Sequence, residues 1–551
     1  MVHTTSNAEQ GAMRKVFFGV TMPELLLLLT AGGLQALALA WPWEGGWKGE
    51  PLGWLQFAGL VVLAVRLDRS HSPRHAAWQG GWFALAWLSA SIWWLFISLH
   101  VYGGMPSVLA VLAVLLLSMG LASMYAAACY VYRHLARNTL SVPWRALLFA
   151  CLWLLVELLR GNVFTGFPWG AIAYAHVDGL ARHWAPWVGV YGVCALIAFA
   201  AMWLGAQRHD RAMKPMGRIQ AAWVFGVVGA LTYAWVAAPS QYTPTQSRVQ
   251  ATTSLRVSLV QGNVPQDMKF GPGVAQALRD YRDVLMTDKS DLVVLPETAY
   301  VVLPQQLPDG YWAPVQERFA KGQQAALIGL PMMREDAATG ERRYTNSAMA
   351  LLPQRDNYRY DKQHLVPFGE FVPLGFRWFI DLMHMPLGDF ARGEWDQAPL
   401  TFAGQRIAPN ICFEDLFGEE IARSFADEAQ APTLMVNLSN IAWFGNTVAI
   451  DQHLNISRMR AIEMNRPMLR AINTGATAII DAQGRVTHRL PSGVKATLTA
   501  EVRGVQGSIT PYAQWVSAYG LWPLWCLGLV GVLLVTAVGH RARHGHRRFA
   551  P

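Results

Sequence analysis

The stretch RIAPNICFED at residues 406–415 joins a short apolar segment to a cysteine and two acidic residues. Cys412 is the only one of the chain's five cysteines that lies in a region of mixed polarity. The others lie in strongly apolar runs, where cysteine is usually a small buried hydrophobe: Cys129, Cys151, Cys194 and Cys526. Cys412 is a candidate nucleophile if the chain also supplies a base and an oxyanion-stabilising group. The alternative is an inert buried cysteine.

The whole chain is unusually apolar for its length. Its 551 residues are 53% hydrophobic and 15% charged, they include 24 tryptophans, and the mean hydropathy is +0.21. This composition is typical of a polytopic membrane protein. The formal net charge of +9 does not indicate nucleic-acid binding, because the basic residues cluster between apolar runs and near the C-terminus.

Eight apolar runs are long enough to be considered as membrane spans. They cover residues 22–41, 52–67, 81–99, 107–132, 144–159, 187–206, 221–238 and 521–539. Most reach or approach the roughly 20 residues that a helix needs to cross a bilayer. The second and fifth runs are short, and we expect eight transmembrane helices in all.

The basic residues indicate how these spans are oriented. Alternate connections hold Arg14 and Lys15; Arg66, Arg69 and Arg74; Arg133, Arg137 and Arg145; Arg208, Arg211, Lys214 and Arg218; and Arg541, Arg543, Arg547 and Arg548. The remaining connections hold only Lys48, Arg160 and Arg182. Because basic loops stay in the cytoplasm, the large region before the last span is predicted to be periplasmic in a bacterial inner membrane. The first run also resembles a cleavable signal peptide, an alternative that leaves the downstream orientation unchanged.

These patterns divide the chain into five segments. They are membrane helices at 1–238, a polar linker at 239–254, an α/β domain at 255–515, a last span at 516–540 and a basic cytoplasmic tail at 541–551. In the α/β domain, short apolar segments alternate with helix-like segments, which is typical of a layered fold. The predicted strands are 255–260, 291–295, 325–330, 347–352, 407–412, 433–437, 468–472 and 476–480. The predicted helices are 274–286, 314–321, 418–428 and 448–464.

Reactive side chains occur near the ends of predicted strands in this domain. Acyl transfer through cysteine requires a base for the thiol, a nucleophilic thiolate, and a positive charge or donors for the oxyanion. Glu297, Cys412 and Lys362 are residues of these three types. Glu370 and Glu414 lie close to Lys362 and Cys412 in sequence and are candidates to orient the lysine or to shift a pKa. The alternative for both is structural ion pairing.

The Glu–Lys–Cys order and its flanking motifs resemble the nitrilase superfamily. The motifs are LPET at 295–298, DKQHLVPFGE at 361–370 and NICFED at 410–415. The resemblance implies an αββα sandwich and a cysteine acyl-enzyme. Glu297 would be the general base, Lys362 the oxyanion stabiliser and Cys412 the nucleophile.

A narrower resemblance covers nearly the whole chain. HLVPFGEFVPL at 364–374, VQGNVPQ at 260–266, ELLRG at 157–161 and TGFPW at 165–169 are similar to the apolipoprotein N-acyltransferase family, the integral-membrane branch of that superfamily. Phe270 departs from the tryptophan that this family is expected to place there. Phe270 and Phe413 are candidates for substrate binding. Glu157 and Arg160 are further candidates because ionisable residues at membrane depth are often functional, although the two could instead satisfy one another.

The resemblance implies a ping-pong reaction between two lipid substrates. Cys412 would take the sn-1 acyl chain of a phospholipid, typically phosphatidylethanolamine, as a thioester. The α-amine of a lipoprotein's diacylglyceryl-cysteine would then accept the chain. No metal, nucleotide or other cofactor is required, and the partners are the bilayer and the lipoprotein. His364 and His453 are isolated histidines without a ligand cluster, so neither predicts a metal site.

Two other interpretations of the sequence remain. One is a membrane-bound amidase or nitrilase that hydrolyses a small amide, with water resolving the acyl-enzyme. The other is a non-catalytic membrane scaffold that retains a nitrilase-like domain for binding. The intact Glu–Lys–Cys set disfavours the scaffold, and the membrane spans together with HLVPFGE disfavour the amidase.

Overall fold

The structure, a computed structural model, describes residues 16–17, 19–136, 140–207, 250–335, 340–373, 375 and 390–547. Within these residues the first part is helical, the second part is built on two β-sheets, and a long helix follows. A two-residue strand pair, Val16–Phe17 with Val20–Thr21, precedes the first helix.

Long apolar segments form the helices of the first part. The described helices are α1 Met22–Leu37, α2 Gly53–Asp68, α3 Pro73–Ile92, α4 Leu95–Ile97, α5 Ser107–Leu135, α6 Val142–Asn162 and α7 Ala185–Gln207. α3 begins at a proline that follows a capping serine, since Ser72 Oγ accepts a hydrogen bond from the His75 backbone N at 3.2 Å. The helix that follows α3, Leu95–Tyr102, is bent from it by 57° and ends in a π-helical turn. This turn reaches the α/β domain, where Ser98 Oγ donates to the Trp443 carbonyl at 2.7 Å.

Four described helices are long and apolar enough to cross a membrane. They are Ser107–Leu135, Val142–Thr165, Leu180–Gln207 and Trp522–Arg541, and the bent pair around residue 93 makes a fifth if it is one span. Met22–Leu37 is apolar but shorter. The predicted run 221–238 lies outside the described residues. The membrane character of the chain is therefore clear, while the total of eight spans stays a prediction.

Two six-stranded mixed sheets form the second part. The strands are β1 Gln250–Gln261, β2 Leu292–Val294, β3 Ala325–Glu335, β4 Arg342–Leu351, β5 Tyr358–Asp361, β6 Leu400–Phe402, β7 Gln405–Ile411, β8 Leu434–Ser439, β9 Met468–Ile472, β10 Ala478–Ile480, β11 Val486–Arg489 and β12 Ala496–Gln506. The first sheet has the order β12-β1-β2-β3-β4-β5, and the second β11-β10-β9-β8-β7-β6. Strands β1, β2 and β3 run parallel, as do β7, β8 and β9.

The sheets pack face to face and each carries helices on its outer face. One apolar layer joins β1 and β2 to β7 and β8, with Leu259 and Val436 among its fully buried members. The remaining helices of this part are α8 Gln266–Lys269, α9 Val274–Thr287, α10 Trp312–Lys321, α11 Gly418–Ile421, α12 Ala449–Met464, α13 Pro511–Tyr519 and α14 Trp522–Arg547. α9 and α10 cover the first sheet. α12 covers the second sheet, and its buried residues belong to the same continuous core as the membrane helices.

The observed elements differ from the sequence predictions in several places. All eight predicted strands are present, but the edge strands β5, β6, β11 and β12 are additional. β1 begins at Gln250, inside the predicted linker 239–254, and α14 runs to Arg547, into the predicted tail. The predicted helix 418–428 is instead α11 followed by the 3-10 turn Ala422–Phe425.

Candidate active site

The predicted catalytic residues lie where strands of both sheets end. Glu297 lies just beyond β2, Lys362 follows β5 directly, and Cys412 follows β7 directly. The residue after β8, Asn440, donates its backbone N–H to Glu297 Oε2 at 2.8 Å, so the two sheets meet at this edge. The carboxyl ends of parallel strands are where ligands commonly bind in layered α/β folds.

A buried ion-pair network joins Glu297 to Lys362. Lys362 Nζ lies 3.2 Å from Glu297 Oε1 and 3.0 Å from Glu370 Oε1. Asn346 Nδ2 donates to the same oxygen of each carboxylate, at 2.7 Å in both cases. Burial alone would lower the pKa of Lys362, but Glu297 and Glu370 raise it above its ordinary value. Lys362 is therefore a fixed ammonium with two carboxylates around it.

The approach of the Glu297 loop to the first sheet depends on a glycine. A Cβ atom on Gly329, in β3, would lie 2.2 Å from the Pro296 carbonyl oxygen and 2.7 Å from Glu297 Cα. The backbone after the glutamate is also constrained, because Thr298 has a φ of 45°. Glu297 is thus held against β3 by close backbone packing as well as by its hydrogen bonds.

Cys412 occupies a sharp turn between β7 and the 3-10 helix Cys412–Leu416. Its φ is 53°, which is sparsely populated for a residue with a side chain. Burial and the charge of Glu297 raise the pKa of the thiol to about 12, against the opposing effects of Lys362 and Ser439. The thiol is therefore neutral near pH 7 and needs a base to become a nucleophile. Glu297 is a carboxylate close enough to act on it electrostatically.

Glu414 fixes the backbone on both sides of the site. Its carboxylate accepts hydrogen bonds from the backbone N–H groups of Ile411 at 2.6 Å, Gln363 at 2.6 Å and His364 at 3.2 Å. The Tyr360 hydroxyl donates to it as well, at 3.0 Å. Burial raises the pKa of Glu414 to about 7, although these backbone N–H groups and Lys362 favour its ionised form. The residue ties the turn at Cys412 to the segment that carries Lys362.

The two aromatic candidates for substrate binding lie in different surroundings. Phe270 is 56% exposed at the end of α8. Phe413 is buried, with its ring centroid 5.5 Å from that of His364 and 5.3 Å from that of Phe417. Neither side chain has a described contact with the ion-pair network. Their role in substrate binding stays a prediction.

Glu157 and Arg160 lie apart from the ion-pair network, on the fully buried face of α6. Arg160 Nη2 is 2.6 Å from Glu157 Oε2, and the Tyr125 hydroxyl donates to Glu157 Oε1 at 2.8 Å. Arg160 Nη1 also donates to the carbonyls of Phe167 and Trp169, each at 2.7 Å. The two charges pair with each other, and Arg160 holds the TGFPW loop through its two carbonyl contacts. A contact of this pair with substrate stays a prediction.

Three residues that the sequence did not single out belong to the site. Lys269 is 4% exposed and donates to the Glu297 carbonyl at 3.2 Å, and burial lowers its pKa to about 7. Asn346 and Asn440 bind the Glu297 carboxylate as described above. Asn346 gives little signal in the sequence, because it stands between Thr345 and Ser347 in the polar half of β4. Lys269 gives no signal, because its burial depends on how α8 folds against the site.

The arrangement has the parts needed for nucleophilic acyl transfer. A thiol stands near a carboxyl group that could take its proton and an ammonium that could stabilise an oxyanion. Among the described residues, no group of three or more histidine, cysteine, aspartate or glutamate side chains is arranged to hold a metal ion.

Comparisons with known proteins cover both parts of the chain. The family model of the apolipoprotein N-acyltransferase N-terminal domain matches residues 31–203, and that of carbon-nitrogen hydrolase matches residues 256–509. The chain is 50% identical over 517 residues to the apolipoprotein N-acyltransferase of Verminephrobacter eiseniae, covering 90% of this chain and 92% of that one. It is 43% identical to the one of Ralstonia nicotianae, over 89% and 90% of the two chains. It is 37% identical to that of Pseudomonas putida, over 91% and 94%.

The first family model matches the part of the chain that forms the membrane helices, and the second matches the two-sheet domain. The full-length relatives cover both parts. The chain therefore belongs to the apolipoprotein N-acyltransferase family.

Proposed function

We propose that this protein transfers the sn-1 acyl chain of a phospholipid, typically phosphatidylethanolamine, to the α-amine of a lipoprotein's N-terminal diacylglyceryl-cysteine. The observation that carries the proposal is the buried Glu297–Lys362 pair beside the Cys412 thiol. The names of the relatives support the class of acceptor, and the membrane helices beside the site support a lipid donor.

In the first half-reaction, Glu297 takes the proton of the Cys412 thiol as the sulfur attacks the carbonyl carbon of the ester. The oxygen that gains negative charge is stabilised by the Lys362 ammonium. The tetrahedral intermediate then collapses, and the bond between the carbonyl carbon and the glycerol oxygen breaks. Glu297 returns the proton to that oxygen. The products are a lysophospholipid and a thioester on Cys412.

In the second half-reaction, the free α-amine of the lipoprotein attacks the thioester carbonyl. Glu297 takes a proton from the amine, and Lys362 again stabilises the oxyanion. The carbon–sulfur bond breaks, the proton returns to the Cys412 sulfur, and an amide is released. One base therefore serves both steps, as expected for a double-displacement scheme.

The proposal includes a place for the protein in the cell. Basic residues in alternate connections support a multi-pass protein of the bacterial inner membrane with eight spans and a periplasmic catalytic domain. In this arrangement the domain, predicted at 255–515 and beginning in the structure with β1 at Gln250, would be an αββα sandwich. It would lie on the side where lipoprotein amino termini emerge.

The acyl-enzyme can be tested directly. Purified protein is incubated with a phospholipid that carries a labelled sn-1 chain, and peptides are analysed by mass spectrometry with and without hydroxylamine. We expect a hydroxylamine-sensitive acyl group on Cys412 and an equimolar amount of lysophospholipid. Cys412→Ala should form no adduct, and Cys526→Ala, which alters an exposed cysteine outside the site, is the matched control. An adduct that persists in Cys412→Ala would exclude this mechanism.

The acceptor distinguishes acyl transfer from hydrolysis. The isolated acyl-enzyme is mixed with a diacylated lipopeptide that has a free α-amine, or with the same lipopeptide after N-acetylation. We expect rapid loss of the thioester and formation of a triacylated lipopeptide only with the free amine. Release of free fatty acid at the same rate with both lipopeptides would instead indicate an amidase-type hydrolase.

A further inference from the structure

The carbonyl oxygen of the nucleophile has a partner on α12. His453 Nε2 lies 3.4 Å from the Cys412 carbonyl oxygen, and Arg470 Nη2 lies 3.1 Å from His453 Nδ1. A guanidinium can only donate, so Nδ1 must be the unprotonated nitrogen of the ring. The proton is therefore on Nε2, and His453 donates it to the Cys412 carbonyl. Burial and the charge of Arg470 lower the pKa of His453 and keep it neutral.

The imidazole is fixed from two sides. On the domain side, Arg470 pairs with Asp415 at 3.2 Å and hydrogen-bonds Ser457, and all these side chains are fully buried. On the membrane side, Trp169 stacks on His453, with a centroid distance of 5.7 Å and an interplanar angle of 11°. The Trp169 indole N–H in turn donates to Gln452 Oε1 at 2.8 Å. The ring therefore has little freedom to change its orientation.

The hydrogen bond from His453 acts on a peptide unit that matters for catalysis. Cys412 has the sparsely populated φ of 53°, and such conformations persist only where the surroundings enforce them. The chain has no cis peptide among the described residues, so the Phe413 N–H points away from the Cys412 carbonyl within the same plane. Phe413 lies in the first turn of its 3-10 helix, where an N–H has no intrahelical acceptor. Fixing the carbonyl therefore also fixes the direction of the peptide N–H next to the nucleophile.

We propose that His453, held against Trp169 of the membrane half, is a positioning residue that locks the Cys412–Phe413 peptide for attack on the acyl carbonyl. The inference rests on the proposed role of Cys412. It links a tryptophan of the membrane part to the catalytic turn through one ring contact and one hydrogen bond. His453 does not exchange protons with substrate in this role.

The test measures thioester formation in a single turnover with labelled phospholipid. His453→Phe retains an aromatic ring for Trp169 but loses the donor, whereas His453→Gln retains a donor. We expect acylation of Cys412 to fall by about 10- to 100-fold in His453→Phe, less than the roughly 10²–10³-fold cost of removing an oxyanion-hole donor, because the peptide beside the nucleophile is misplaced but not lost. His453→Gln should recover most of the rate. The KM for phospholipid and the shape of the pH profile should not change, because the residue is neutral. His488→Phe, at an exposed histidine, is the control.

A second readout separates positioning from general damage. Alkylation of Cys412 by iodoacetamide needs the thiol but no oxyanion stabilisation, so we expect its rate in His453→Phe to stay within about 3-fold of wild type. If His453→Phe does not fold, His453→Met and His453→Gln give the same comparison between side chains of similar length. The inference is overturned if the variants without a donor acylate at the wild-type rate. It is also overturned if His453→Gln is as slow as they are and alkylation falls in proportion. If the wild type itself forms no thioester on Cys412, the proposed function fails instead.

Discussion

At the scale of single residues, the charge of Glu297 has two opposite effects on Cys412. In its proposed role as base it would promote deprotonation during attack, but as a nearby negative charge it raises the pKa of the resting thiol. The Lys362 ammonium lowers the same pKa. The balance keeps the cysteine neutral until a carbonyl is in place, which limits side reactions of a free thiolate.

Replacing Glu297 should therefore change two rates of Cys412 in opposite directions: the rate of thioester formation and the rate of alkylation. We expect Glu297→Gln to lower thioester formation by about 10²–10⁴-fold, the usual contribution of a general base. The same substitution should increase the rate of Cys412 alkylation by iodoacetamide at pH 8, because removal of the negative charge lowers the thiol pKa. Stopped-flow alkylation and single-turnover acylation on one preparation provide the comparison. Parallel losses in both rates would show that Glu297 only maintains the structure.

Glu414 is expected to act mainly through the backbone. Glu414→Gln presents an NH₂ group to a pocket lined by the N–H groups of Ile411, Gln363 and His364, so at least one donor loses its acceptor. We expect a loss of about 2 kcal/mol in the free energy of unfolding, seen as a lower Tm in detergent. Glu428→Gln, at an exposed glutamate, should leave Tm unchanged. Equal Tm values for the two variants would contradict this role.

Lys269 predicts a pH dependence of stability. Burial lowers its pKa from 10.5 to about 7, so below pH 7 the folded protein holds a buried charge at a cost. Between pH 7 and about 10.5 the unfolded chain binds the proton and the folded one does not, so stability rises with pH. We therefore expect Lys269→Met to be more stable than wild type at pH 6.5, with the difference in Tm shrinking toward pH 10. A difference that does not change with pH would rule out this titration.

The residues of the site differ in how far the sequence could predict them. Glu297, Lys362 and Cys412 stand in motifs whose order alone suggests their association. Lys269 and His453 could not be assigned in this way, because each acts through burial and one long-range contact. His453 is separated from Cys412 in the chain by α11 and β8, and only the packing of α12 on the second sheet brings them together.

At the scale of elements, α12 is one of the parts of the catalytic domain that contact the membrane helices. Gln452 Oε1 accepts from the indole N–H of Trp94 at 3.2 Å and from that of Trp169 at 2.8 Å. One side-chain oxygen thus binds two tryptophans from different parts of the membrane half. The adjacent residue, His453, reaches the catalytic turn.

Removing this oxygen should weaken the junction. We expect Gln452→Leu to lower the free energy of unfolding by roughly 1–3 kcal/mol, because the buried Trp169 N–H loses its acceptor, whereas the Trp94 N–H still donates to the Ser91 carbonyl at 2.9 Å. Thioester formation should also slow, since Trp169 would lose its anchor beside His453. Gln430→Leu, at an exposed position, is the control for both measurements. Unchanged Tm and unchanged acylation in Gln452→Leu would argue against a structural junction here.

Among the elements, apolar strands were predictable and edge strands were not. The inner strands β2, β8 and β9 are buried along their whole lengths, so their apolar runs stand out in the sequence. β12 is an edge strand with mostly exposed or half-buried residues, and its Thr, Glu and Arg side chains obscure the alternation. The segment 418–428 has the composition of a helix, but it shortens to α11 and a 3-10 turn where it meets α12 and α13.

At the scale of the whole molecule, orientation in the membrane is the main open prediction. We expect a cysteine introduced at the exposed Lys289, in the catalytic domain, to react with a membrane-impermeant maleimide in intact spheroplasts. A cysteine at the exposed Arg74, in the first turn of α3, should react only after lysis. Cys412→Ala without an added cysteine gives the background. Labelling of Arg74→Cys in intact spheroplasts would show that the orientation in the membrane is opposite to the proposed one.

The shared core of α12, the second sheet and the membrane helices also has a consequence for biosynthesis. The ribosome completes α1 to α7 before it makes the second sheet, whose outer face packs against them through residues such as Met435, Met468 and Ile472. The inserted helices therefore already provide the surface against which the second sheet and α12 pack when the later half of the chain folds. A catalytic domain made without these helices would leave the apolar residues of α12 exposed, so we expect it to be degraded instead of accumulating.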